Sequence, residues 1–317
     1  MAKHSLPRFR IAVVGSGAIG SYYGGKLAYY GRDVHFLMRG DLHAVRKRGL
    51  HILSKGENIH VAKVNCHTST EEIGPSDLVI IALKATSNDA LPALLPPLLH
   101  EKTALLTLQN GLGSEEFLAK HFGAERVLGG LCFVCLNRTA PGVIEHYDYG
   151  RVAIGEFRRY PQPRTHDIAW EFKRCGIVCS VIEDLVLERW RKLVWNIPFN
   201  GLSVVAGGID TAAILADENL RRMTLELMDE VISIANQCGH VLPTAAALEQ
   251  MKRTETMGAY KPSTLIDYLA GRPLEIEAIW GEPYRRARAA GVAAPQLENL
   301  YQQLVSLDRT QRSNSRQ

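Results

Sequence analysis

Residues 10–20 read Arg10-Ile11-Ala12-Val13-Val14-Gly15-Ser16-Gly17-Ala18-Ile19-Gly20, an apolar run that ends on a Gly-x-Gly-x-x-Gly turn. Four apolar residues, Ile11 to Val14, closed by glycine predict a strand, and Ser21 to Tyr30 behind the turn predicts a helix. In a strand-turn-helix of this kind the first glycine permits the tight turn and the second lets the backbone approach a pyrophosphate. The third lets helix and strand pack closely, and the helix N-terminus adds N–H groups and a positive dipole end. Gly15, Ser16, Gly17, Ala18, Ile19 and Gly20 are therefore the expected cradle of a dinucleotide.

The next strand, Asp33 to Met38, ends in Met38-Arg39-Gly40-Asp41. NAD-specific proteins place an acid there to accept from the ribose 2′-hydroxyl, whereas Arg39 offers a guanidinium that pairs with a 2′-phosphate and stacks on adenine. NADPH is thus expected over NADH. The competing reading makes Arg39 a surface cation and Asp41 the ribose ligand. Lys84 follows the apolar run Leu78 to Leu83, at the end of a strand where ligands of open α/β sheets collect, and is a second cation for the same phosphate.

Outward from this turn the first half alternates short strands, at Ile11 to Val14, Val34 to Met38, Leu78 to Leu83 and Ala104 to Leu108, with helix-like segments, the pattern of a mostly parallel sheet covered on both faces. A β-rich stretch runs from Val127 to Ile154, with one more strand at Val178 to Ile182. From about Asp184 the spacing turns helical, over Leu185 to Asn200, Glu218 to Cys238, Ala245 to Arg253, Leu274 to Ala290 and Gln296 to Leu307. The expected fold is α/β: an N-terminal Rossmann-type domain over residues 1–182, then a mostly α-helical domain over residues 183–317. The last ten residues read as polar and disordered.

With 317 residues, 46% of them hydrophobic and 22% charged, the chain is long enough for two cores and shows no low-complexity tract. A net charge of +4 with scattered lysines and arginines falls short of a nucleic-acid footprint, and Arg285-Arg286-Ala287-Arg288 reads as a solvated helix face. The basic segment Met1 to Arg10 leads into a five-residue strand, not a signal core, and no apolar run would cross a bilayer. A cytoplasmic protein is the expectation. Six dispersed cysteines suit reduced thiols, and Cys132 and Cys135, three apart in a strand, should face opposite ways as buried apolar groups.

Two further stretches carry polar groups where chemistry needs them. Gln109-Asn110-Gly111-Leu112-Gly113 follows a strand, where an amide can hold ribose or nicotinamide or simply make a turn. Within Trp190-Arg191-Lys192-Leu193-Val194-Trp195-Asn196-Ile197-Pro198-Phe199-Asn200, the fourfold spacing puts Lys192, Asn196 and Asn200 on one helix face, within roughly 80°.

Taken with Leu83-Lys84-Ala85 and Gly271-Arg272-Pro273-Leu274-Glu275-Ile276, these motifs resemble, in order and over nearly the whole chain, the ketopantoate reductase (2-dehydropantoate 2-reductase) family. The resemblance implies NADPH-dependent reduction of 2-dehydropantoate to pantoate on the route to pantothenate, in a cleft between the two domains. It makes Lys192 the catalytic lysine that binds the ketone oxygen and supplies the proton, and Glu275 the acid at the junction of cofactor and substrate. Asn196, Asn200 and Ser263 become substrate ligands. Asn110 falls near the nicotinamide, and Arg39 and Lys84 near the 2′-phosphate. A homodimer is compatible with this reading, and no metal is implied. A reductase of another 2-oxo acid and a non-catalytic NADPH sensor are the alternatives.

The chain departs from the family pattern at three places. Pro198 lies inside the helix that presents Asn200, and a proline there can kink it. Asp210 aligns near a substrate amide, so it either points away or signals a different substrate. Trp280 is either a core residue or narrows the cleft.

Overall fold

The structure, a computed structural model, describes residues 9–314; residues 1–8 of the basic N-terminal segment and 315–317 of the polar tail lie outside them. The chain forms two compact units. The first runs up to Gln109 and resumes over Ser114–Leu185, and the second takes Asn110–Gly113 and everything from Val186 on.

The first unit contains β1 (Arg10–Val14), α1 (Ala18–Tyr29), β2 (Asp33–Leu37), α2 (Leu42–Arg48), β3 (Leu50–Ser54), β4 (Ile59–Val61), β5 (Asn65–His67) and β6 (Leu78–Ile81). After these come α3 (Leu91–Leu94), β7 (Ala104–Thr107), α4 (Ser114–Phe122), β8 (Val127–Ala140), β9 (Val143–Glu156), α5 (Pro163–Arg174) and β10 (Cys179–Val181). The strands make one sheet in the order β4-β3-β9-β8-β7-β6-β1-β2-β5, with β10 beside β9. From β8 to β5 every neighbouring pair is parallel, while β9 turns back antiparallel to β8. Strands buried on both faces need apolar side chains throughout, which is why β1, β6 and β7 read as unbroken apolar runs. Ile11 and Val13 enter one core cluster, and Ala12 and Val14 the cluster on the other face.

The sheet order reverses at β1. The chain leaves β1 for β2 on one side and later places β6 on the other, so the turn after β1 occupies the topological switch point where open α/β sheets bind ligands. The β8–β9 hairpin carries bulges near Phe133/Val134 and Cys135/Leu136. Cys132 is buried and packs in the main core cluster with Val134 and Leu136, whereas Cys135 stays outside it and is only half-buried, not buried as expected.

The second unit is helical: α6 (Leu185–Val205), α7 (Thr211–Ala216), α8 (Glu218–Gln237), α9 (Ala245–Glu255), α10 (Ser263–Leu269), α11 (Glu282–Ala289) and α12 (Pro295–Asn314). An α/β unit followed by a helical one is the fold class the residue pattern implies. Two expectations need correction. The single helix anticipated over Leu274 to Ala290 is a π turn, Glu277–Gly281, running into α11. The tail is helical to Asn314, because polar residues there find partners: Asp308 pairs with Arg312 at 2.7 Å and accepts from Leu274 N at 3.2 Å, and Gln311 Nε2 donates to Tyr268 O at 2.6 Å. Pro198 leaves α6 unbroken.

Candidate active site

Gly15 leaves β1 with φ +106°, a left-handed conformation that suits glycine, and a Cβ at this position would overlap Leu83 N and Ala82 C. The close approach sets the turn after β1 directly against the segment that leads from β6 to Lys84. Ser16 Oγ donates to Leu37 O at 3.1 Å and Ser21 Oγ to Ser16 O at 3.0 Å, so the turn is tied to β2 and to its own helix. Gly17, the N-cap of α1, is exposed and extended, and nothing lies within 4 Å of where its Cβ would stand. Open space over glycine backbone at a helix N-terminus, with Ala18, Ile19 and Gly20 forming the first helical turn, fits a pyrophosphate. The residues present therefore suit the dinucleotide that the sequence implies.

Arg39 and Lys84 follow β2 and β6, the two neighbours of β1, and so stand on opposite sides of the glycine turn. Arg39 is exposed, and its guanidinium has no partner among the described residues; Lys84 is half-buried. Asp41, the competing ribose ligand, is 6% exposed, paired with Arg138 and accepting from Gly142 N at 3.1 Å. A carboxylate committed in this way is a poor acceptor for a ribose hydroxyl. Beyond β7, Gln109 is buried in a network that the sequence did not reveal. It donates from Nε2 to Asn88 Oδ1 at 2.7 Å and accepts from Thr107 Oγ1 at 2.9 Å.

In the second unit Lys192 and Asn110 meet. Lys192 Nζ donates to Asn110 Oδ1 at 2.8 Å across 82 residues of sequence. The π turn explains how Asn110 is held. Pro283 has no N–H to give to Ala278 O, and Leu112 N supplies one at 2.9 Å. Gly111 passes this contact with φ +84°, where a Cβ would overlap Ala278 O, so only glycine lets the loop dock. π turns often mark functional sites, and here the irregular turn seats the residue facing the lysine.

Along α6, Lys192 is half-buried, Asn196 is 7% exposed and Asn200 is 1% exposed. Asn200 is fixed despite Pro198: its Oδ1 accepts from Thr264 N at 3.0 Å and, more loosely, from Ser263 Oγ at 3.4 Å. The orphan N–H at the start of α10 is thereby satisfied, and the Nδ2 of Asn200 keeps its donors. Ser263 is exposed and Glu275 half-buried, just before the π turn. Asp210 points to its own helix, accepting from Ala213 N at 2.9 Å as the N-cap of α7. Trp280 is a core residue, fully buried, with Nε1 donating to Ile197 O at 3.0 Å. Among the described residues no helix is long and apolar enough to cross a membrane.

The family model described as ketopantoate reductase PanE/ApbA matches residues 11–159, and its C-terminal counterpart matches residues 184–307. A 2-dehydropantoate 2-reductase from Nostoc sp. is 41% identical over 304 residues, covering 94% of this chain and 95% of that protein. One from Mesorhizobium japonicum is 33% identical over 294 residues, covering 85% and 89%. The crystal structure of the 2-dehydropantoate 2-reductase from Geobacter metallireducens matches with a TM-score of 0.91 at 42% identity, over 94% of this chain and 99% of that one.

Proposed function

From the premise that this chain belongs to the ketopantoate reductase family, we propose that it reduces 2-dehydropantoate to pantoate with NADPH. The enzyme is an oxidoreductase that uses a nicotinamide cofactor, which when bound supplies the hydride. The chain's own residues supply the rest. Lys192 donates a hydrogen bond to the ketone oxygen, stabilises the negative charge that builds there, and delivers the proton that completes the alcohol. Asn110 accepts from the same Nζ and holds it in place. Asn196 and the Nδ2 of Asn200 offer donors to the substrate, and Ser263 stands at the rim of the same helix pair. Glu275 accepts from a substrate hydroxyl and favours the charged form of Lys192. Arg39, exposed and without a protein partner among the described residues, selects NADPH over NADH through the 2′-phosphate.

The 2.8 Å contact between Lys192 and Asn110 carries this reading, because it unites two polar motifs that are far apart in sequence and that a merely structural lysine would have no reason to unite. Replacing Lys192 by alanine is expected to lower turnover of 2-dehydropantoate by about 10²–10⁴-fold, the range of a positioned proton donor, while the NADPH dissociation constant stays within about threefold. Steady-state kinetics with a parallel NADPH titration measures both. Undiminished turnover would remove the lysine from the chemistry, and turnover of another branched 2-oxo acid with none of 2-dehydropantoate would change the substrate.

A further inference from the structure

The acid at the start of α2, four residues beyond β2, is engaged away from the arginine two places before it. Asp41 Oδ1 takes Nη1 of Arg138, and Asp41 Oδ2 takes the N–H of Gly142 at 3.1 Å. Both donors flank the turn between β8 and β9, about a hundred residues further along the chain. The turn is anchored in place: His51 N donates to Gly142 O at 2.9 Å, and Arg48 Nη2 donates to Pro141 O at 3.4 Å. Of the other cations of this segment, Arg46 is engaged with backbone, its Nη2 donating to Cys66 O at 3.1 Å. Of the two opposite charges that bracket Gly40, one is neutralised inside the protein and the other is left outside.

We propose that Arg138 is a specificity-determining residue for the cofactor, because it masks the Asp41 carboxylate that would otherwise compete for Arg39 and repel a 2′-phosphate. The inference rests on the reading of Arg39 as the partner of that phosphate. A carboxylate at the end of this strand is the group that accepts from the free 2′-hydroxyl of NADH. Released from Arg138, Asp41 lies two residues from Arg39 and serves NADH instead. Cofactor choice then depends on an ion pair that touches neither cofactor, with Arg138 acting as a positioning residue.

Dissociation constants for NADPH and NADH, read from nicotinamide fluorescence in the full-length protein without substrate, test this. Arg138→Ala is expected to narrow the preference for NADPH over NADH by about tenfold or more, the effect of exposing one charge beside another. Asp41→Asn combined with Arg138→Ala is expected to return the preference to within about twofold of the starting protein, since an amide does not repel phosphate. Should the alanine variant fail to fold, Arg138→Gln keeps a donor beside Asp41 without its charge and should narrow the preference in the same direction. An unchanged preference in the Arg138 variants, or an equal loss in the single and double variants, overturns the proposal. Arg39→Ala separates it from its premise: if that variant weakens NADPH and NADH alike, the reading of Arg39 fails first, whereas a selective loss in Arg39→Ala with no effect at Arg138 sinks the masking role alone.

Discussion

Asn200 and Asp210 each do a job that the family resemblance does not assign them. Each carries a side-chain oxygen that closes the N-terminus of a helix, Asn200 for α10 and Asp210 for α7. For Asn200 this leaves one half of the amide for a ligand, so Asn200→Ala is expected to remove two things together: stability, by about 1–3 kcal/mol for the buried Thr264 N–H left without an acceptor, and substrate affinity, seen as a higher KM. Chemical denaturation and steady-state kinetics read these separately. Asp210→Ala is expected to cost about 0.5–2 kcal/mol, the usual loss of a helix cap, and to leave KM for a 2-oxo acid within about twofold. A marked fall in KM would mean that the carboxylate faces the substrate after all. The cap of α7 has a local signal that the expectation for residue 210 did not use: an aspartate stands directly before Thr-Ala-Ala-Ile-Leu-Ala, the pattern of a helix start. The partner of Asn200 was not legible, because nothing local links residue 200 to residue 264.

At the scale of elements, the loop after β7 depends on a defect in a helix. The π turn at Glu277–Gly281, with Pro283 behind it, leaves Ala278 O to be satisfied from outside, and Leu112 N does so only because Gly111 has no side chain. Gly111→Ala is expected to push the loop off the turn and cost about tenfold or more in kcat by misplacing Asn110, while NADPH affinity, held mainly by the glycine turn at Gly15, falls by much less. Equal loss of cofactor affinity would show that the damage was general. The starts of α6, α8 and α9 were legible from their apolar period, as were β1, β6 and β7 from runs buried on both faces and β2 from its apolar residues Val34, Phe36 and Leu37. β3, β4 and β5 were not, since three to five residues with polar members among them give no period to read. The π turn was equally hidden, because Leu274 to Ala290 keeps helical spacing right through it. Motifs carried Lys192 and Asn110 individually, but only the folded second unit joins them.

At the scale of the whole molecule, few charged side chains are buried among the described residues, and Glu156 shows how such a charge is held. Glu156, at the end of β9, is 1% exposed, and three side chains meet it: Arg164 through Nε at 2.9 Å and Nη2 at 2.6 Å, Arg159 through Nε at 3.1 Å, and Thr165 through Oγ1 at 2.7 Å. Through them the outer part of the sheet is fastened to the first turn of α5. Burial pulls the carboxyl upward, but the hydrogen bonds from Arg164 and Thr165 and the charges of Arg164 and Arg159 outweigh it, so its pKa lies below the ordinary glutamate value. A carboxyl depressed in the folded state contributes its stability at every pH above the unfolded value near 4.5 and loses it as the pH falls through the lower folded value. Glu156→Gln is expected to cost roughly 3 kcal/mol at neutral pH, the lower end for breaking a buried pair, because the arginines left behind are partly exposed and rehydrate. The gap in melting temperature between the native chain and this variant should stay constant from about pH 7 to pH 5 and shrink as the pH drops below the glutamate range. A gap that persists unchanged far into acid would place the stabilising force in packing around α5 and not in the carboxylate.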